Sequence, residues 1–310
     1  MTVEAPQIPA YRTFAVRVSR LQRLSPSFLR VTFSGPDMAE FATNGYDQRI
    51  KVMLPLPGRG LVDCPSGPDW YGEWRALPAD RQVPIRTYTI RALRPEAGEI
   101  DVDFVLHGAT GPASAWAEEA TVGDDVVLVG PDARFDGPTG GFEWHPPADA
   151  SCLLLVGDET AVPAICAIVE TLPAGQRAHV LLEVPTAGDA LNVAAPAGVQ
   201  VTWLPRRPED GGTPATRGTL LTAAVIDAVR ELSDLLAPTP AADLDDVDVD
   251  EGILWEVPEE GALPHSGMYA WLAGEAGVVK GLRRHLVQEV GVDRRSVAFM
   301  GYWREGRDSD

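Results

Sequence analysis

No run of about 20 consecutive apolar residues occurs in the 310-residue sequence, so no membrane-spanning helix is expected. The start, Met1-Thr2-Val3-Glu4-Ala5-Pro6, has neither a basic n-region nor an apolar h-region, which speaks against a secretory signal. Cysteine is scarce. Cys64, Cys152 and Cys166 are odd in number and sit at spacings that suit no metal site. Cys152 and Cys166 fall in apolar segments and read as buried thiols. A reducing, cytoplasmic compartment is expected on this basis. Positive charge is in deficit: 26 Lys and Arg stand against 45 Asp and Glu, a formal net charge of −19. Such a chain repels nucleic acid and anionic membrane surfaces, and an anionic substrate would need a local basic patch.

What is present suits two domains of ordinary size, with 45% hydrophobic residues to fill their cores. The first half is cut by Gly and Pro into short alternating stretches. Tyr11 to Arg20, Phe28 to Ser34, Arg49 to Leu54, Pro84 to Ala92, Glu99 to Leu106 and Asp125 to Val129 read as strands. A barrel and a sandwich both satisfy that pattern. Pro57 to Gln82 reads as a turn-rich loop. The Gly- and Pro-rich segment from Gly137 to Asp149 places a domain boundary near its end, giving domains 1–148 and 149–310.

The second half changes rhythm. Strands are expected at Cys152 to Val156, Ala178 to Glu183, Val199 to Leu204, Tyr269 to Ala273 and Ser296 to Gly301. Helices are expected at Ala161 to Thr171, Leu220 to Leu236 and Ala276 to Val290. This alternation means a parallel sheet covered on both faces, with ligands at the carboxyl ends of its strands. Between Ala237 and Leu263 lies an acidic insert that lacks the glycine turn and closing glutamate of an EF-hand. It reads as a solvated loop followed by a short edge strand at Ile253-Leu254-Trp255.

Two stretches carry chemistry. In Arg86-Thr87-Tyr88-Thr89-Ile90-Arg91, alternation puts Arg86, Tyr88 and Ile90 on one face and Thr87, Thr89 and Arg91 on the other. Arg86 can grip a pyrophosphate bidentately, Tyr88 can lie against an aromatic ring system, and Thr89 can donate to a ring nitrogen. After a second strand, Gly111-Pro112-Ala113-Ser114 opens a helix whose free N–H groups and Ser114 hydroxyl make an anion site. Two phosphate sites flanking an aromatic strand suit a dinucleotide with a large ring, and flavin is the natural candidate.

In the second half, Gly157-Asp158-Glu159-Thr160 joins a buried strand to a helix, with Thr160 as the expected N-cap and Pro163 in the first turn. A pyrophosphate would sit there, although Asp158 and Glu159 would compete with it. The Gly-x-Gly-x-x-Gly fingerprint is missing at this junction, which argues against an ordinary dehydrogenase. Arg206-Arg207 are candidates for the extra phosphate of NADPH, or for plain solvated cations.

These stretches, together with Ala273-Gly274-Glu275 and Gly301-Tyr302-Trp303-Arg304-Glu305-Gly306, resemble the siderophore-interacting protein family. That family is a branch of the ferredoxin reductase-like flavoproteins, and the resemblance spans nearly the whole chain. It implies an antiparallel β-barrel flavin domain followed by a parallel-sheet α/β nucleotide-binding domain, with the C-terminal segment returning to the flavin. It implies an FAD-dependent ferric-siderophore reductase fed by NADH or NADPH; neither sheet edge advertises an interface, so a monomer is the default expectation. Some members draw on ferredoxin instead, which an acidic surface disfavours. Cofactor contacts carry over to Arg86, Tyr88, Thr89, Asp103, Phe104, Val105, His107, Ala113, Ser114 and Trp116, and to Asp158, Thr160, Ala161 and Trp303. Contacts to the anionic ferric chelate carry over to Lys51 and to Arg134, although the loop Pro131-Asp132-Ala133-Arg134 departs from the family's shorter one, and Arg304 is a third candidate. No side chain is expected to act as nucleophile or general acid. The alternatives are a general NAD(P)H flavin or ferric reductase, and a flavin-bearing module that binds siderophore or relays electrons from a protein donor.

Overall fold

Phe14, Val16 and Val18 are buried while Ala15, Arg17 and Ser19 are exposed, so strand β1 (Tyr11–Arg23) turns one face to a core. The structure is a computed structural model that describes residues 8–108, 111–236, 254–258 and 267–306. It divides into two compact units between Phe142 and Glu143. In the first unit β1 is joined by β2 (Phe28–Ser34), β3 (Arg49–Met53), β4 (Ile85–Thr89), β5 (Ala92–Arg94), β6 (Glu99–Val105) and β7 (Asp125–Pro131). These form a seven-stranded antiparallel sheet in the order β4-β3-β7-β1-β2-β6-β5. Phe33, Phe104, Val31, Val102, Ile50 and Leu128 fill its concave side.

The expected barrel is a curled half-barrel instead. The edge strands β4 and β5 share no ladder, yet only Ile90 and Arg91 separate them in sequence. The sheet must therefore curl until its two edges meet at that link. Ile90 N–H donates to Gln48 O beside β3, while Arg91 N–H donates to Asp101 O on β6, each at 2.9 Å. This change of partner is why the single strand expected over Pro84 to Ala92 is split in two.

The turn-rich segment 57–82 holds a helix, α1 (Trp70–Ala76), that the sequence did not announce. Trp70 and Trp74 pack on Met53, Val83 and Val129, and Trp74 Nε1 donates to Val83 O at 2.9 Å. Helix α2 (Pro112–Glu119) follows β6.

The second unit is built on β8 (Cys152–Gly157), whose six residues are all buried, as a central strand covered on both faces requires. With β9 (Ala178–Thr186), β10 (Val199–Arg207), β11 (Trp255–Glu256), β12 (Met268–Glu275) and β13 (Val297–Trp303) it forms a sheet in the order β10-β9-β8-β12-β13-β11. All neighbours are parallel except β11, which runs antiparallel to β13, so the sheet is mixed rather than purely parallel. Helices α3 (Val162–Val169), α4 (Thr219–Glu231) and α5 (Ala276–Arg284) make the crossovers. The helix expected to run to Val290 continues past Arg284 as a π-helical turn, His285–Val290, that ends at Gly291 with φ 81°. Most of the acidic insert 237–263 lies outside the described residues. Among those described, no helix is long and apolar enough to cross a membrane.

Candidate functional site

In the first unit three rings join three elements. Tyr88 on β4 lies 4.3 Å from Phe104 on β6, and Phe104 lies 5.4 Å from Trp116 on α2. Phe104 is fully buried, so it serves as a platform, while Tyr88 and Trp116 remain half-buried. Burial pushes the Tyr88 phenol up, with the Arg86 charge pulling the other way.

Arginines in this unit are mostly held by carboxylates. Arg30 is bidentate to Asp103 at 2.7 and 2.8 Å, and Arg94 reaches both oxygens of Asp101 at 2.7 Å. Arg86 is different. Its guanidinium donates to the carbonyl of Ile85 at 2.9 Å, and no described carboxylate pairs with it. A half-buried guanidinium with no described counter-charge makes a candidate anion site.

The start of α2 adds a second one. Gly111 is the N-cap and offers no side chain, so the first-turn N–H groups are uncapped. Ser114 Oγ accepts from His107 N–H at 3.2 Å, which leaves the hydroxyl proton to donate. Ala113 and Ser114 are buried in that first turn. The donor set fits a pyrophosphate, and the half-buried Tyr88 fits a flat ring. Thr89 is buried at the end of β4, and Val105 is half-buried at the end of β6. Asp103, by contrast, is buried with both oxygens on Arg30.

Register places Lys51 opposite Thr87, and Arg49 opposite Thr89, on the face of β3–β4 away from Ile50 and Val52. Lys51 Nζ donates to Thr87 Oγ1 at 2.6 Å and has no described carboxylate partner. Partial burial, then the Arg49 charge, pushes its pKa below the ordinary lysine range. Arg134 is not comparable. It is held by Asp132 at 2.7 and 3.0 Å and lies 3.2 Å from Glu40, so its charge is already balanced. Arg304 is half-buried just beyond β13, and Arg307 lies outside the described residues.

In the second unit the order of parallel strands reverses between β8 and β12, the place where open α/β sheets bind ligands. Asp158, just after β8, bridges that reversal. Its buried carboxylate accepts from Thr160 N–H and Oγ1 at 2.9 and 2.6 Å, and from Glu275 N–H and Trp303 Nε1, both at 2.8 Å. Burial, then the Glu159 charge, pushes this carboxyl up, and the donated hydrogen bonds pull against them. Gly274 has φ 150°, and a Cβ there would stand 2.8 Å from Asp158 Oδ2, so this backbone must be glycine. A cleft opens here, lined by Asp158, Glu183, Arg217, Gly218, Gly274 and Glu275.

Two expectations are corrected in this unit. Thr160 is not the N-cap of α3; Ala161 is, and the Thr160 hydroxyl serves Asp158 instead. Arg206 is not a solvated cation. It grips Glu159 at 2.8 and 2.9 Å and reaches Glu183 at 3.3 Å. Trp303, expected against a flavin ring, is fixed to Asp158 with the Arg217 guanidinium 4.6 Å from its ring centroid.

Arg217 and Glu183 escaped the sequence reading. Arg217 pairs with Glu159 across 58 residues, and Glu183 accepts from Gly218 N–H and Leu221 N–H at the start of α4. No local pattern reports pairings at such separations.

Comparison with known proteins agrees with this geometry. Residues 17–135 match the family model for the siderophore-interacting FAD-binding domain, and residues 150–306 match that for siderophore-interacting protein. The ferric vibriobactin reductase ViuB of Vibrio cholerae is 28% identical over 291 residues, covering 94% of this chain and 89% of that protein. The crystal structure of the siderophore-interacting protein SipS from Aeromonas hydrophila is 32% identical with a TM-score of 0.65, covering 97% of this chain and 94% of that one. A siderophore utilization protein from T. fusca is 25% identical with a TM-score of 0.68, covering 97% and 96% of the two chains.

Proposed function

Because this chain belongs to the siderophore-interacting protein family, and is thereby an oxidoreductase with an FAD-binding fold, we propose that it is an NAD(P)H-dependent ferric-siderophore reductase. The first domain, residues 1–148, holds FAD, and the second, residues 149–310, receives NADH or NADPH. The observation that carries the reading is Arg86, the half-buried guanidinium with no described carboxylate partner, on the same strand as Tyr88.

FAD, held by these residues, would supply the hydride-accepting and single-electron chemistry that links a reduced nicotinamide to ferric iron. The chain's own groups bind and orient. Arg86 and the uncapped first turn of α2 take the pyrophosphate, with Ser114 Oγ adding a donor. The Tyr88 ring, backed by Phe104, lies against the flat ring system, and Thr89 donates to it. Lys51 offers a local positive charge to an anionic ferric chelate in a chain of net charge −19. Ferrous iron is held less tightly by hard oxygen donors than ferric iron, so reduction frees the metal from its chelator.

The test is an anaerobic absorbance spectrum of the purified protein, recorded after NADH, after NADPH and then after a ferric siderophore. The flavin band is expected to bleach with one nucleotide and to return when the chelate is added, with Fe(II) captured by a colorimetric chelator. A preparation that neither carries nor binds flavin would falsify the reading. A band that neither nucleotide bleaches would replace the nucleotide with a protein electron donor.

A further inference from the structure

We propose that Glu159 is a built-in competitor for a phosphate of the electron-donor nucleotide, occupying the anion site made by Arg206 and Arg217 and setting how tightly that phosphate binds. The inference rests on the reading of the second unit as the nucleotide half.

Glu159 accepts two hydrogen bonds from Arg206, at 2.8 and 2.9 Å, and a third from Arg217. One guanidinium comes from the end of β10 and the other from the residue before Gly218, which opens α4. One bidentate guanidinium and a second that adds a single donor, converging on one group of oxygens, is an arrangement that suits a phosphate. The site stands at the carboxyl ends of the parallel strands, beside the reversal of strand order. Arg217 also lines the cleft that opens there.

Exposure shows which partner can turn outward. The Glu159 side chain is 5% exposed, against 11% for Arg206 and 23% for Arg217. Ligand therefore approaches from the arginine side. Burial pushes the Glu159 carboxyl up, but the two arginines outweigh it and hold it below the ordinary range, so the competitor is charged at neutral pH.

Neither arginine is stranded if Glu159 yields. Arg206 keeps Glu183, which the α4 start anchors through Gly218 and Leu221 N–H at 2.8 and 3.1 Å. Arg217 keeps the Trp303 ring. A phosphate arriving at Arg217 from the cleft also meets Asp158, Glu183 and Glu275 on its wall, and among the described carboxylates Glu159 is the one that both arginines hold. Both the 2′-phosphate of NADPH and the pyrophosphate common to both nucleotides offer this chemistry.

The test is calorimetric titration of the full-length oxidised protein, without turnover. The probes are adenosine 2′,5′-bisphosphate, ADP and uncharged adenosine, on wild type, Glu159→Gln and Arg217→Gln. Removing one repulsive charge several ångströms from the phosphate is worth about tenfold in affinity. Glu159→Gln is expected to tighten one of the two phosphate probes by about that factor and to leave adenosine unchanged. Arg217→Gln is expected to weaken the same probe about tenfold. The probe that responds identifies the phosphate. A merely structural Glu159 would weaken binding when neutralised, so tightening is the discriminating sign. The proposal is overturned if Glu159→Gln leaves both phosphates unchanged, weakens them, binds neither, or tightens adenosine equally. Should Glu159→Gln not fold, an unchanged affinity in Arg217→Gln overturns it alone. The titration does not involve the flavin, so bleaching by NADH or NADPH tests the donor assignment separately.

Discussion

Arg86 and Arg94 lie on the two opposite edge strands of one sheet, and the proposed function gives them opposite duties. Arg86→Met removes a guanidinium that no described carboxylate pairs with, so the apo protein loses one hydrogen bond to the Ile85 carbonyl and little else. The same change removes a charge-assisted grip on the cofactor pyrophosphate. Such bonds contribute roughly 2 kcal/mol, or about 30-fold in Kd. Arg94→Met does the reverse. It strands Asp101, whose side chain is 6% exposed, and leaves it with the Thr32 hydroxyl as its close donor. Breaking a pair around a buried carboxylate costs several kcal/mol, and the 36% exposure of Arg94 scales this down to about 2. The assay is flavin-fluorescence titration of apo protein for affinity, with urea unfolding of the same apo protein for stability. Arg86→Met is expected to weaken FAD and spare stability; Arg94→Met is expected to lower stability and spare FAD. If Arg86→Met destabilised the apo protein like Arg94→Met while FAD bound normally, Arg86 would be structural and the cofactor assignment would fall.

Lys51→Gln is expected to raise KM for an anionic ferric siderophore several-fold and to leave the flavin spectrum unchanged, read in steady-state kinetics. In wild type that KM is expected to climb as pH rises through a Lys51 pKa below the ordinary lysine value, and a flat profile would remove Lys51 from the substrate patch. Gly130→Ala is expected to cost about 2–3 kcal/mol in urea unfolding. A Cβ there overlaps the Phe41 ring, which Phe14 backs at a centroid distance of 4.5 Å, and an unaltered midpoint would show that the ring has room to move. Asp132 is held below the ordinary range by its hydrogen bonds to Arg134. A lowered folded pKa means that this stability is present above the unfolded value near 3.9 and is lost as pH falls through the folded one. Asp132→Asn should therefore lose less stability than wild type on going from pH 5 to pH 3, and parallel slopes would contradict the pairing.

Local periodicity made most elements legible. Alternation marked β1, β2 and β6, and an unbroken apolar run marked β8. Failures came where one stretch serves two partners. Residues 84–92 look like a single strand because each half alternates, and only the switch from β3 to β6 divides them. Helix α1 is seven residues long inside a segment dense in Gly and Pro, and its aromatic side chains are settled by packing on Met53 and Val129 rather than by period. At the candidate sites, the placing of Arg86 and Tyr88 on one strand and of Ser114 in the first turn of a helix was legible because both patterns are local. The partner of Arg206 was hidden because Glu159 lies far away along the chain, whereas Asp132, two residues before Arg134, was in plain view and its grip shows only in the structure.

The strand orders also bear on synthesis. In each unit the strand made first is central: β1 pairs with β2 and β7, and β8 pairs with β9 and β12. Each gains one neighbour early and waits for the other until almost the whole unit has left the ribosome. During that wait β8, with every residue destined for burial, presents a bare apolar edge that any passing strand can join. Parallel closure by β12 is also the slow, non-local kind. A chain stalled before Met268 would thus carry a wholly apolar strand with one edge unpaired, a hazard of synthesis that the stability of the finished fold does not measure.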